Sequence, residues 1–295
     1  MKIVAADPAE THAMELIRAL DDDNRQRYPG EPVFGIDAEG FVDNGGVFLL
    51  GYVDEKAVAS GALRPLEDGS VEVKRMYVRP EYRGRGLSRE MLAELESIAA
   101  DDGVRVLRLE TGVKQPEALG LYRSVGFAAT PLYEPYVGSR FSVCFAKPLP
   151  TREDVEFLRC FEACTLPEPE WTHLAHVRMA WLYLSRMDST AALKKIRDGI
   201  KRFNAEVLDR RQEYHETVTV AFSRIISDRM WPDEAWESFA ARIDDIADRD
   251  SPMLDSYYSS GLLSLVEARD RFVEPDLHDL PEFRDAPKAG EVGDG

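Results

Sequence analysis

The segment Val71–Val78 reads as a strand. It passes through Arg79-Pro80-Glu81-Tyr82 into Arg83-Gly84-Arg85-Gly86-Leu87-Ser88, and a helical pattern opens at Ser88. A strand that runs through a glycine-rich loop into a helix constrains the fold more than any other feature of the chain. It leaves free backbone N–H groups at a helix N-terminus, where the helix dipole adds positive potential. Glycine lets that backbone approach an anion without a Cβ in the way. Residues 83–88 are therefore read as a cradle for a pyrophosphate, although a bare RxxGxG is weak evidence without its neighbours.

The neighbours alternate strands and helices. Lys2–Ala6 is a short strand, and Ala9–Leu20 carries Met14, Leu16, Ile17 and Leu20 at helical spacing before an acidic stop at Asp21-Asp22-Asp23. Residues 22–46 are expected to form a short helix and a loop. Val47–Val53, Ala57–Leu66 and Val71–Val78 follow as strands joined by tight turns at Asp54-Glu55-Lys56 and Glu67-Asp68-Gly69. A helix from Ser88 to about Asp101 turns Met91, Leu92, Leu95, Ile98 and Ala99 to one face and stops at Gly103. Val104–Leu109 is a strand, Pro116–Val125 a helix opened by proline, and Phe141–Lys147 a last strand. The order β-α-β-β-β-α-β-α-β predicts an α/β fold with a mixed sheet flanked by helices.

Two linked stretches, Val71–Ser88 with its YVRPxYRG run and Ala118-Leu119-Gly120-Leu121-Tyr122-Arg123-Ser124-Val125-Gly126-Phe127, together resemble the GNAT (Gcn5-related N-acetyltransferase) family. The resemblance covers residues 1–149. The loop fits the family's Q/R-x-x-G-x-G/A pattern except at its end, where Ser88 replaces glycine or alanine; serine is small and able to cap the helix. The resemblance implies acetyl-CoA as acetyl donor. It implies that the backbones of Met76, Tyr77 and Val78 bind the pantetheine arm, that Arg83, Gly84, Arg85, Gly86, Leu87 and Ser88 hold the pyrophosphate, and that Tyr122 lies near the thioester sulfur.

The chemistry of such a transfer asks for a group that takes a proton from the attacking amine and one that gives a proton to the leaving thiolate. Tyrosine, with an ordinary pKa near 10, can donate to a thiolate whose acid has a pKa near 8.5, so Tyr122 is the candidate acid. A core aromatic on a short helix is the plainer alternative. Glu72 and Glu110 are candidates for the base, through water, if burial raises their pKa. Each is equally readable as a structural partner of Arg75 or Arg108. A backbone N–H near Tyr77 would polarise the carbonyl. Pro131–Tyr136, with Arg64 and Arg140, either lines an acceptor pocket or forms a surface loop.

Beyond Pro148-Leu149-Pro150 the pattern changes. Thr151 is placed to cap a helix, and six helical stripes follow: Val155-Leu158-Phe161, Val177-Ala180-Trp181-Leu184, Leu193-Ile196-Ile200-Phe203, Tyr214-Val218-Ala221-Ile225, Trp236-Phe239-Ile243 and Leu262-Leu265-Val266. They predict an all-α bundle over residues 150–273, with 274–295 as a loosely attached, acid-, proline- and glycine-rich tail. Trp171–Arg178 and Tyr214–Thr217 resemble a helical domain of uncharacterised bacterial proteins, which implies no activity. His173 and His176 share a helical face and His215 opens another stripe, so the three are expected to converge in one pocket. A divalent metal there is weighed against histidines satisfied by hydrogen bonds.

With 54 acids against 37 bases and a net charge of −17, the chain lacks the basic footprint of a nucleic-acid binder and would be repelled by anionic membranes. No apolar stretch approaches the roughly 20 residues of a membrane span, and Asp7 interrupts any signal-peptide core. Cys144, Cys160 and Cys164 form no CxxC pair. The expectation is a cytoplasmic N-acetyltransferase acting on a small-molecule amine, with a homodimer left open. Two other classes compete: a protein that senses acyl-CoA without turnover, and a bifunctional chain whose helical half is a separate metal enzyme.

Overall fold

The computed structural model describes residues 1–31, 34–36, 38, 40–248 and 252–284. The chain divides into two compact units, residues 1–124 with 129–149, and residues 125–128 with those from Pro150 onward.

The first unit is built from β1 (Lys2–Ala5), α1 (Thr11–Arg27), β2 (Val47–Val53), β3 (Lys56–Pro65), β4 (Val71–Val78), α2 (Leu87–Asp101), β5 (Val106–Gly112), α3 (Pro116–Ser124), β6 (Ala128–Thr130) and β7 (Ser142–Pro148). The strands form one sheet in the order β1-β2-β3-β4-β5-β7-β6. Neighbours from β1 to β4 are antiparallel, as are β5 and β7, while β4 and β5 run parallel. Helix α1 does not stop at Asp21–Asp23 as the acidic run suggests, but continues to Arg27. Partners explain this: Asp21 pairs with the distant Arg75 at 2.5 Å, and Asp23 lies 3.5 Å from both the distant Arg83 and Arg27, one turn on in the same helix.

The sheet is covered on both faces. On one, α1 buries Ala13 and Leu16 against Phe48, Leu50 and Ala62. Each large apolar side chain so buried stabilises the fold by about 1.5–3 kcal/mol. On the other, α2 packs so closely on β3 that a Cβ at Gly61 would lie 2.8 Å from Leu95 and 2.9 Å from Met91. The sheet opens at its centre. The β4–β5 ladder holds only Val71–Leu107, Glu72–Arg108 and Val73–Leu109, after which the strands part. Just beyond, β4 bulges: Arg75 takes φ +57°, and its pairing with β3 shifts between Ser60 and Ala62.

The second unit contains, among its described residues, α4 (Arg152–Glu162), α5 (His173–Leu184), α6 (Ser189–Glu206), α7 (Glu216–Arg229), α8 (Trp236–Ala240), α9 (Asp244–Ala247), α10 (Ser260–Leu263) and α11 (Val266–Asp270). Thr151 does open α4, forming a capping box with Asp154, and Asp154 also holds Arg178 at 2.6 Å. Phe161 stacks on Trp171 and Phe203 at the core. Two expected stripes are shorter than their apolar spacing suggests. Ile243 lies beyond the end of α8, and Leu265 and Val266 are 48 % and 73 % exposed where α10 and α11 meet. The tail expectation is corrected over 274–284. Leu280 is 7 % exposed, Leu277 N–H donates to the Tyr257 carbonyl, and Arg284 N–H donates to Ser227 Oγ. Residues 285–295, the rest of the expected tail, lie outside the described residues.

Candidate functional site

Where β4 and β5 part, the backbone groups of residues 74–78 on the side toward β5 face no strand. The chain then turns through Gly84 at φ +74° and Gly86 at φ +83° into α2. Both values lie in the left-handed region that favours glycine, and a Cβ at either position would meet nothing within 4 Å, so both glycines face open space. Gly86 is the N-cap, with no side-chain hydrogen bond, and Leu87 is the first helical residue. The expected cap at Ser88 is therefore corrected: the loop ends one residue earlier, and Ser88 sits inside the first turn. Among the described residues, the N–H groups of 84–88 find no acceptor, which leaves a ring of donors at the positive end of α2.

These residues border a cavity of about 220 Å³ lined by Met76, Tyr77, Val78, Arg83, Gly84, Gly86, Leu87 and Ser88, with Leu121 and Tyr122 of α3 opposite. Arg85 is the one cradle residue outside the lining. It donates to the Glu81 carbonyl and lies over the Tyr82 ring. Tyr122 is buried, its ring 6.3 Å from that of Phe145. Burial, with a smaller contribution from the Glu110 charge, holds its phenol well above the usual tyrosine range, so it stays protonated.

The two carboxylates have different fates. Glu72 is fully buried. One oxygen pairs with Arg64; the other accepts from Tyr136 at 2.5 Å and Tyr133 at 3.1 Å, and Lys74 lies 3.7 Å away. Lys74 in turn donates to Tyr136 Oη at 2.6 Å. Both Glu72 oxygens are engaged; its cationic partner is Arg64, while Arg75 pairs with Asp21 and Arg108 with Asp68. Glu110 lines a second cavity of about 390 Å³. Burial raises its pKa against the opposing pull of Ser142 and Lys74, the direction a base needs.

This second cavity is bordered by Tyr28, Phe34, Pro135, Arg140 and Phe141. The expected acceptor segment thus contributes Pro135 and Arg140, whereas Tyr133, Tyr136 and Arg64 engage Glu72. Sequence reasoning missed Gln115, which borders both cavities. Its Oε1 accepts from Thr111 Oγ1 at 2.7 Å and from Gly112 N–H at 3.0 Å, and its Nε2 donates to Asn24 at 2.9 Å. The available signal was a polar residue directly before the proline that opens α3. Tyr28 was missed too; its hydroxyl accepts from Lys114 N–H at 2.6 Å.

The histidines do not make a metal centre. His173 Nε2–H donates to the Ile246 carbonyl at 2.8 Å, and His176 Nδ1–H to the Thr172 carbonyl at 2.7 Å. His215 caps α7, accepting from Val218 N–H on Nδ1 and donating to the Leu263 carbonyl through Nε2. His173 and His176 border one small apolar cavity; His215 does not, so the expected convergence of all three fails. Among the described residues no group of three or more His, Cys, Asp or Glu side chains is placed to hold a metal ion.

A mixed sheet that opens between its two parallel strands, beside a glycine-rich helix start, defines the acyl-CoA N-acyltransferase fold. Residues 13–127 match the sequence model of the acetyltransferase (GNAT) family. An IAA acetyltransferase of Azospirillum brasilense is 34 % identical over 148 residues, which cover 50 % of this chain and 97 % of that protein. N-acetyltransferase 8 of Homo sapiens is 29 % identical over 93 residues, 30 % of this chain and 41 % of that protein, so the chain spans less than half its length. A solved GNAT family acetyltransferase from Elizabethkingia anophelis with acetyl-CoA bound is 16 % identical, covering 50 % of this chain and 97 % of that one at a TM-score of 0.39. The chain belongs to the acetyltransferase (GNAT) family through its first half.

Proposed function

We propose that the first unit transfers the acetyl group of acetyl-CoA to the primary amine of a small molecule. The observation that carries this reading is the single cavity bordered by the free edge of β4, the donor-rich start of α2 and the buried Tyr122. An open cradle of glycines and unpaired N–H groups suits a pyrophosphate, and an unpaired strand edge suits an extended amide-bearing arm. Bound there, acetyl-CoA supplies the acetyl group as a thioester.

The chain's own residues do the rest. Residues 84–88 donate backbone N–H groups to the phosphates, with the dipole of α2 behind them. Residues 76–78 offer the backbone groups on their β5 side to the arm and one N–H to the carbonyl oxygen, while the Val78 carbonyl accepts from Arg83 Nε at 3.0 Å. Glu110 accepts the amine proton through water, and its raised pKa brings it closer to the pH at which it must work. Tyr122 hydrogen-bonds the departing sulfur. The raised pKa of its phenol makes complete transfer to a thiolate uphill, so the hydroxyl acts first by stabilising the developing charge.

The test is amine-dependent release of free thiol from acetyl-CoA, with the N-acetyl product measured by mass spectrometry. Equal amounts of thiol and product support transfer. Tight acetyl-CoA binding without thiol release from any amine would make the protein a sensor.

A further inference from the structure

The second cavity carries an uncommon mixture of charges. Glu110 and Glu31 both border it, and Arg140 borders it as well. Arg140 lies over the Phe141 ring, 5.2 Å from its centroid, and among the described residues no carboxylate pairs with it. Of the nearby cations, Arg27 pairs with Glu117 at 2.6 Å and Arg64 pairs with Glu72, while Lys114 donates to the Arg27 carbonyl at 3.2 Å with its ammonium 5.4 Å and 5.7 Å from the Tyr28 and Phe141 ring centroids. Glu31 likewise has no cationic partner among the described residues. The walls between these charges are aromatic, with Tyr28 and Phe141 edge to face at 5.8 Å.

A pocket built for a simple cation would need only the carboxylates. An unpaired guanidinium beside them adds a site for an anionic group on the same molecule, since guanidinium and carboxylate match in shape and charge. We propose that the acceptor is a zwitterion: an α-amino acid with an apolar or aromatic side chain. Its ammonium faces Glu110 and Glu31, its carboxylate faces Arg140, and its side chain lies against Tyr28 and Phe141. This deepens, and rests on, the acetyl-transfer reading. In the step itself the ammonium first gives one proton through water to Glu110, and the free amine nitrogen then bonds to the acetyl carbon as the carbon–sulfur bond breaks. The second N–H proton passes through water to the departing thiolate, which the Tyr122 hydroxyl hydrogen-bonds.

Matched pairs that differ only by the carboxylate test it: phenylalanine with phenethylamine, leucine with isoamylamine, and methionine with 3-methylthiopropylamine. Affinity of the full chain for CoA is measured first by calorimetry, and kcat/KM with acetyl-CoA is then compared within each pair. The expected result is at least one pair in which the amino acid is favoured by about tenfold or more, with Arg140→Gln bringing that ratio close to one. CoA binding and turnover with no pair favouring the amino acid would overturn the proposal and leave acetyl transfer standing. So would a preference that Arg140→Gln does not change. Failure to bind CoA at all would instead refute the acetyl-transfer reading, and the zwitterion with it.

Discussion

Gln115 at the head of α3 donates its side-chain N–H to Asn24 of α1, 2.9 Å away, and so ties together the two helices that border the candidate donor and acceptor cavities. The same amide accepts from Thr111 and from the Gly112 backbone, so one side chain fixes the end of β5, the start of α3 and the wall of α1. Gln115→Ala would leave those donors unmatched. A loss of about 1–3 kcal/mol in urea unfolding is expected. An unchanged midpoint and slope would show that water replaces the amide without cost.

Glu110→Gln separates function from stability. As the base, Glu110 contributes about 10²–10⁴-fold to the rate, and its removal should also abolish the rise of kcat/KM with pH through its pKa. Stability should move the other way. A carboxyl whose folded pKa is raised binds its proton more tightly in the native state. Its contribution is fully present below the unfolded value and is lost as pH rises through the folded value. At neutral pH the glutamine variant should therefore be no less stable than wild type. A less stable variant with wild-type kcat would make Glu110 structural.

Tyr122→Phe keeps the buried ring and removes only the hydroxyl. A fall in kcat of roughly 10²-fold is expected, with CoA affinity little changed. Because burial pushes the phenol above its usual range, its ionisation should produce no fall in activity up to about pH 10. Wild-type kcat under conditions where chemistry limits the rate would reduce Tyr122 to packing.

The cradle is best probed at Gly84. Valine there or at Gly86 would confuse two effects, since φ near +80° strains a β-branched residue whether or not a ligand binds. Asparagine tolerates this region, and the space around Gly84 is open. Gly84→Asn should weaken CoA affinity by about tenfold or more while unfolding within about 1 kcal/mol of wild type. Unchanged affinity would remove the phosphates from this loop.

The parts of this protein written locally in the chain were the legible ones. Gly84 and Gly86 announce a loop whose backbone can approach an anion, Thr151 announces a helix start, and Met91, Leu92, Leu95 and Ala99 announce the buried face of α2. Features set by distant partners were not legible. The run Asp21–Asp23 looks like a helix stop until Arg75 and Arg83 are found beside it. Glu72 and Glu110 are indistinguishable as residues on strands. Only the fold shows that Arg64, Tyr133 and Tyr136 occupy one of them, while the other borders a cavity. His215 sits where the apolar spacing suggests a core ligand, yet it caps α7, because capping depends on where the preceding loop delivers the chain.

The central claim is that the free edge of β4 and the start of α2 hold the coenzyme. Amide hydrogen exchange on the full chain, with and without CoA, reads it at the groups concerned. Slowed exchange is predicted at Met76, Val78 and residues 84–88, because those N–H groups gain acceptors on binding. CoA bound at saturation with exchange at these positions unchanged would contradict the account.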